Sequence, residues 1–301
     1  MVSITILSFD RKSDLKACID SLYRHTDIKS VPFEVIIVDQ NSNKETTDYL
    51  KKLRFANLKI IFLKRNIGCS AGRKAALKEC SPQAEFIFQA DNDIVFTPRW
   101  LEKMLKNINT RKGIGALQAS CITLDNHTLL SGGVIERYSL TGIKRNNGYI
   151  AYFCDIGSDK HKKSFAFPVF YCDYVSGGAT LFRKKLFETV SYDEKYLNGY
   201  EDYDLSLCAR KNGWKLACDF TVKLIHQNRR FKNSTFWKKE KRYINTRENS
   251  RTLYFSLYNF VKKHGLNPVR SDGFDKIIKD PSGKPFSYYS DYELKAYFDK
   301  L

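Results

Sequence analysis

Apolar positions in the first hundred residues follow two periods that exchange in turn. Residues 3–8 form a short continuous apolar run that reads as a buried strand. Beyond Arg11-Lys12-Ser13, the residues Leu15, Cys18, Ile19, Leu22 and Tyr23 fall at i, i+3, i+4, i+7 and i+8, which is one face of a helix. Ser13 is the expected N-cap of that helix. The exchange repeats, with predicted strands at 33–38 (Phe-Glu-Val-Ile-Ile-Val), 58–63 and 85–89, predicted helices at 45–53 and 70–79, and a further helix opened by Thr97-Pro98 as cap and first-turn proline. A βαβαβαβα order needs right-handed crossovers and predicts a mostly parallel, Rossmann-like α/β sheet with helices on both faces.

In such a sheet, ligands lie beyond the carboxyl ends of the strands. Ser8, Phe9 and Asp10 leave the first strand, Asp39 ends the second, and Asp91-Asn92-Asp93 follows the fourth, so residues far apart in sequence are expected at one edge. From about Ile114 the pattern changes to short extended segments punctuated by glycine, which predicts hairpins and loops rather than more crossovers, with residues 144–168 as a mobile excursion. Extended chain is expected at 170–183, a helix at 202–211 ended by Asn212-Gly213, and a strand at 215–226. Beyond Gln227 the chain reads as helical and basic, closing on an amphipathic segment at 291–301. The division predicted is a nucleotide-binding βα half over 1–113, an acceptor-side and catalytic half of the same domain over 114–230 with a small antiparallel region, and a helical extension over 231–301.

Composition narrows the chemistry. The chain has 301 residues, 43% hydrophobic, with 51 Lys and Arg against 33 Asp and Glu for a net charge of +18, which excludes a disordered chain and favours an anionic partner. No apolar window is long enough to cross a bilayer and no secretory leader precedes residue 3, so a cytoplasmic protein is expected, with any membrane contact peripheral. The eight cysteines make no CxxC pair and no zinc spacing, and read as reduced thiols.

Asp91 and Asp93 at a strand end suit a hard divalent cation that also bridges a diphosphate, although Asp and Asn form turns without any ligand. Acids gathered at one edge repel by roughly 1 to 4 kcal/mol per close pair, and a cation relieves that repulsion. His226, closing an apolar strand, is a suitable third ligand once two carboxylates are present. A second cluster, Gly199-Tyr200-Glu201-Asp202-Tyr203-Asp204, opens a helix with three acids in four positions. One would serve as a cap, so a general base is expected among them. Gly68-Cys69-Ser70-Ala71-Gly72 matches the nucleophile-elbow pattern of serine hydrolases, but only three strands precede it. It reads better as an anion-approach loop with Arg73 at a helix start. The dinucleotide fingerprint and the P-loop are absent.

In this order, Ile4 to Ser8, Val38-Asp39-Gln40-Asn41-Ser42, Asn66-Ile67-Gly68 through Gly72-Arg73, Asp91-Asn92-Asp93, Ser176-Gly177-Gly178 with Leu181-Phe182-Arg183-Lys184, Tyr200 to Leu205, and His226 resemble the family 2 glycosyltransferases with the GT-A fold, in a rhamnosyltransferase-like layout. The resemblance covers about residues 1–230. It implies inverting sugar transfer from a nucleotide-diphosphate sugar, UDP- or dTDP-linked, with Mn2+ or Mg2+ as cofactor. By position, Asp39 would hold the base with Ser8 and Phe9 lining its pocket. Arg73 would lie near the nucleotide and Asp91 would contact ribose or metal. Asp93 and His226 would ligate the metal, Asp202 would be the general base with Glu201 beside it, and Gly177 and Gly178 would lie on the acceptor side. The acceptor implied is a glycan, a lipid-linked group or a protein, with peripheral membrane contact through the basic C-terminal region. The rivals are a nucleotidyltransferase of GT-A-like fold, which would release pyrophosphate, and a basic nucleic-acid-binding protein, which would show a steep salt-dependent affinity for DNA or RNA that survives loss of the acidic sites.

Overall fold

Strand β1 (Val2–Ser8) is buried on both faces, Ile4 and Ile6 completely so, and this is why it reads as an unbroken apolar run. The computed structural model describes residues 1–122, 129–131, 134–136, 144–145, 148–155, 169–227, 240–247, 249–264 and 266–270. The chain continues through α1 (Lys12–His25), β2 (Phe33–Asp39), α2 (Lys44–Lys52), β3 (Leu58–Phe62), α3 (Cys69–Lys78), β4 (Phe86–Asp91), β5 (Ile94–Val95) and α4 (Trp100–Asn109). β1 pairs in parallel with β2 on one side and β4 on the other, and β2 with β3, so the predicted βα half is present with its strands in register at the site edge: Ser8 lies opposite Asp39, and Leu7 opposite Asp91.

The second half adds β6 (Ile114–Ile122), β7 (Leu129–Ser131), β8 (Val134–Glu136), β9 (Lys144–Arg145), β10 (Gly148–Asp155), β11 (Val169–Cys172), β12 (Ala179–Arg183), a 3-10 turn at Lys184–Glu188, α5 (Glu201–Lys211) and β13 (Lys215–His226). The large sheet runs β11-β13-β6-β12-β4-β1-β2-β3, with β5 on β13 and β7 on β6, and so extends through both halves. β12 enters antiparallel between β4 and β6. Hairpins and loops rather than further crossovers were expected after Ile114. Instead β13 returns parallel to β6, because β6 is buried along almost its whole length and needs a partner on each side. Within 144–168, residues 148–155 are strand, antiparallel to β8 and β9 and parallel to β14 (Leu266–Arg270), while 146–147 and 156–168 lie outside the described residues. The C-terminal region is helical at Lys241–Arg247 and Ser250–His264, but β14 makes it mixed rather than wholly helical. The amphipathic segment expected at 291–301 lies outside the described residues.

Two helix starts differ from the caps expected. α1 begins one residue before Ser13, with Arg11 at the N-cap in a left-handed conformation (φ 56°) and no side-chain cap bond. The corner is fixed instead by the buried Arg11 guanidinium, 2.6 Å from Asp14 and 2.8 Å from Asp93. α4 starts at Trp100, after left-handed Arg99; Thr97 donates to the Lys223 carbonyl at 2.9 Å and ties the turn to β13 rather than capping a helix. Beneath the sheet, Phe88 and Phe96 meet Trp100 at 4.5 and 4.7 Å between ring centroids, and the Trp100 indole N–H donates to Thr26 at 2.9 Å.

Candidate active site

A cleft opens at the carboxyl edge of β1 and β4, lined among others by Ser8, Phe9, Arg73, Asp91, Asp93 and His226. Its metal-type corner follows from strand pairing. β5 pairs with the end of β13 so that Ile94 lies opposite His226, and the Gln227 N–H donates to the Asp93 carbonyl at 2.9 Å, which holds Asp93 beside the imidazole. Asp93 Oδ1 is 3.1 Å from His226 Nε2, and Oδ2 accepts from Arg11 Nη1 at 2.8 Å. Burial alone would raise the Asp93 pKa, but His226 and Arg11 outweigh it and hold the carboxyl well below the usual range. Burial would lower the His226 pKa, and Asp93 reverses that and raises it. Asp91, Asp93 and His226 each offer one ligand atom within 4.8 Å of the others. Two carboxylate oxygens and an imidazole nitrogen at that spacing fit a divalent cation, and Arg11, by holding the far oxygen of Asp93, leaves the near one facing His226.

The second acidic cluster meets the first through a single arginine. Buried Arg73 donates from Nη1 to the Gly177 carbonyl at 2.7 Å and from Nη2 to Asp91 Oδ1 at 3.1 Å. A Cβ on Gly177 would fall 2.7 Å from Asp202 Oδ1 and 2.8 Å from Arg73 Cζ, and one on Gly178 would fall 2.5 Å from Asp91 Oδ2. The paired glycines let two carboxylates and a guanidinium close on the backbone, a demand of space rather than of unusual φ. Asp202 and Glu201 occupy the first turn of α5, where the helix dipole favours negative charge. Both are nonetheless raised: Asp202 by burial, opposed by Arg73, and Glu201 by burial and by its neighbour Asp202, to about 7. Asp202 Oδ1 and Glu201 Oε2 are buried without a hydrogen-bond partner.

Asp39 is fully buried behind the cleft rather than on its lining; one oxygen accepts from the Ser42 N–H at 3.0 Å and the other has no partner. Its neighbours Ser8 and Gln40 do line the cleft. Glu201, Asp202, Gly177 and Gly178 also stand behind the lining, reached through Arg73 and Asp91. Ser70 is fully buried, and burial pushes the Cys69 thiol up to about 12, so the Gly68–Gly72 segment presents no activated nucleophile.

Several cleft residues were not singled out from the sequence. Arg11 carries no motif; its role depends on Asp93, 82 positions away. Tyr243, Thr246 and Arg247 come from the C-terminal helix, whose basic residues read as a solvated face. A further buried group lies outside the cleft, where Asp204 sits 2.6 Å from His264 Nε2 and 2.8 Å from Lys263 Nζ and so joins the Ser250–His264 helix to α5. The ammonium already meets that carboxylate's charge. Among the described residues, no helix is long and apolar enough to cross a membrane.

Comparison with known proteins identifies the family and the fold. A family model described as glycosyl transferase family 2 matches residues 3–156. Among curated proteins, the chain is 25% identical over 293 residues to the uncharacterized glycosyltransferase YwdF of Bacillus subtilis, covering 94% of this chain and 91% of that one. It is 24% identical over 281 residues to the uncharacterized glycosyltransferase MJ1057 of Methanocaldococcus jannaschii, covering 87% and 88%. Among solved structures, GalNAc-T7 with UDP, GalNAc and Mn2+ aligns with a TM-score of 0.58 at 15% identity, over 88% of this chain but only 54% of that one. S. aureus TarS 1-349 in complex with UDP-GlcNAc aligns with a TM-score of 0.55 at 16% identity, over 87% and 72%. The shared fold is the GT-A arrangement of a mostly parallel sheet with flanking helices.

Proposed function

The chain belongs to glycosyl transferase family 2, and from that premise we propose that this glycosyltransferase is an inverting enzyme that moves a sugar from a UDP- or dTDP-sugar to a hydroxyl of a glycan, lipid-linked or protein acceptor. The observation that carries the reading is the bridge by which Arg73, on the cleft lining, joins Asp91 in the cleft to Asp202 and the Gly177-Gly178 pair just behind it. Sugar transfer with inversion needs a cationic side for the leaving diphosphate and a basic side for the attacking hydroxyl, and the two acidic clusters stand on either side of a single guanidinium. The complexes of GalNAc-T7 with UDP and Mn2+ and of TarS with UDP-GlcNAc support a nucleotide-sugar donor and a divalent cofactor.

Asp91, Asp93 and His226 would hold Mn2+ or Mg2+, which when bound offsets the charge that develops on the leaving diphosphate. Arg11 keeps Asp93 turned toward His226, so the residues are placed before the donor arrives. Ser8, Phe9, Gln40 and Arg73 bound the nucleotide side of the cleft, with Asp39 buried behind the base. Asp202 takes the proton of the acceptor hydroxyl as its oxygen bonds to the anomeric carbon and the bond to the diphosphate oxygen breaks, releasing the nucleoside diphosphate. Burial suits Asp202 to this task, because a raised pKa makes it a better base while Arg73 keeps it ionisable. The test is transfer and donor hydrolysis over a panel of nucleotide sugars with Mn2+ or Mg2+. Asp202→Asn is expected to keep donor binding and lose about 100-fold or more in transfer, and Asp93→Ala to lose its response to the metal. Full activity in either variant would reassign that role.

A further inference from the structure

One wall of the cleft comes from beyond the segment that the family model matches. Tyr243, Thr246 and Arg247 of the Lys241–Arg247 helix line it. The helix is seated by two cation–ring contacts of opposite direction: Arg242 lies 4.8 Å over Phe9, and Arg11 lies 4.9 Å over Tyr243. Arg242 also reaches Asp10 Oδ1 at 3.1 Å and donates to the Asn41 carbonyl at 2.7 Å. At the last turn, Arg247 Nη1 donates to Asn198 Oδ1 at 2.9 Å, and Asn198 Nδ2 donates back to the Arg247 carbonyl at 2.5 Å. Asn198 also lines the cleft and stands just ahead of Glu201.

Three guanidinium groups therefore face one cleft, and they differ in what they already hold. Arg11 is paired with Asp14 and Asp93, and Arg73 with Asp91 and the Gly177 carbonyl. Among the described residues, the side-chain partner of Arg247 is the neutral Asn198 amide, which engages one of five N–H donors. Its charge acts on Asp91, Glu201 and Asp202. Arg11 and Arg73 direct their donors to carboxylates and a carbonyl, which leaves Arg247 as the lining guanidinium with N–H donors to offer the oxygens of a diphosphate. We infer that Arg247 binds the donor's diphosphate, and the Lys241–Arg247 helix is thereby part of the donor site. The inference rests on the nucleotide-sugar reading and adds a binding residue to it.

The experiment is calorimetric binding to the full chain, with Mn2+ present, of UDP, dTDP and GDP against the matching nucleosides. Arg247→Ala is expected to weaken the best-bound diphosphate by about 10- to 100-fold, the usual effect of losing charge-assisted hydrogen bonds. It should leave the nucleoside within about 2-fold, and Arg247→Lys should recover part of the loss. In the transfer assay the same loss should appear in the donor KM more than in kcat. A diphosphate affinity unchanged in Arg247→Ala, or a loss shared equally by the nucleoside, would overturn the inference, the second showing that the side chain only shapes the wall. If the unaltered chain binds none of the three diphosphates, the donor reading falls and this inference with it. Tight binding that Arg247→Ala leaves intact refutes the inference alone.

Discussion

Replacing Glu201 by Gln should make the protein more stable at alkaline pH, and the size of the gain follows from its surroundings. Glu201 is 6% exposed, its Oε2 has no partner, and burial together with the neighbouring Asp202 lifts its pKa to about 7. The unfolded chain ionises this group near 4.5. The folded state therefore binds the proton more tightly, and stability from this group falls as pH rises from the unfolded pKa through the folded one. A separation of about 2.5 pKa units corresponds to about 3 kcal/mol at full ionisation, of which about 2 kcal/mol appears between pH 5 and pH 8. The glutamine amide brings its own cost in the same buried place, but that cost does not depend on pH. The quantity to measure is therefore the difference between variant and wild type at pH 8 minus the same difference at pH 5. Urea unfolding at the two pH values gives it directly. A double difference of about 2 kcal/mol in favour of the variant is expected. A value near zero would show that Glu201 is ionised in the folded state at both pH values, and the account of a carboxyl pair held by burial would be wrong.

Two further outcomes follow from packing and charge. Gly178→Ala puts a methyl group 2.5 Å from Asp91 Oδ2, so the carboxylate must move. Transfer should fall by at least about 10-fold, while the thermal midpoint drops by only a few degrees, as expected for about 1 kcal/mol of overpacking; equal activity would place Asp91 outside the machinery. Asp204→Asn removes the charge that His264 and Lys263 share. Because Lys263 is 37% exposed and can turn to water while His264 is 2% exposed, the loss should be about 2 to 3 kcal/mol, below that of a fully buried pair. Urea unfolding measures it, and a loss under about 0.5 kcal/mol would mean that the cluster does not anchor the Ser250–His264 helix.

What the sequence made legible depends on how local the determinant is. β1, β2 and β4 read clearly because a strand buried on both faces needs an unbroken apolar run, and the edge rule then brought Ser8, Asp39 and Asp91 together. Asp93 and His226 were legible as ligand types at strand ends, although their adjacency depends on the two-residue strand β5, too short to show a period. The cap at Arg11 was not legible: a serine two positions later is the better local cap, and what overrides it is an ion pair with Asp93 that exists only in the fold. The return of β13 parallel to β6 was hidden by the turn residues that separate them. Arg247 looked like one basic residue among many. Its place in the cleft is set by Asn198, a neutral partner with no pattern of its own.

Arg73 shows why the two acidic clusters need to be considered as one system. Without it, burial and the charge of Asp91 would both raise the Asp202 pKa with one less opposing charge. Arg73 pairs with Asp91 directly and acts on Asp202 through space, where it opposes the effect of burial. The result is an asymmetric pair. Asp91 is ion-paired, where the proposed reaction has its leaving group, whereas Asp202 keeps an unpartnered oxygen and an elevated pKa, where the proposed reaction has its attacking group. A ligand for a cation must be ionised, and a base must hold a proton for part of the cycle. The guanidinium, held against the Gly177 carbonyl where a side chain at that position could not be accommodated, meets the first condition by pairing with Asp91 and moderates the burial that meets the second. The double glycine is thus as much a part of the proposed chemistry as the acids it admits.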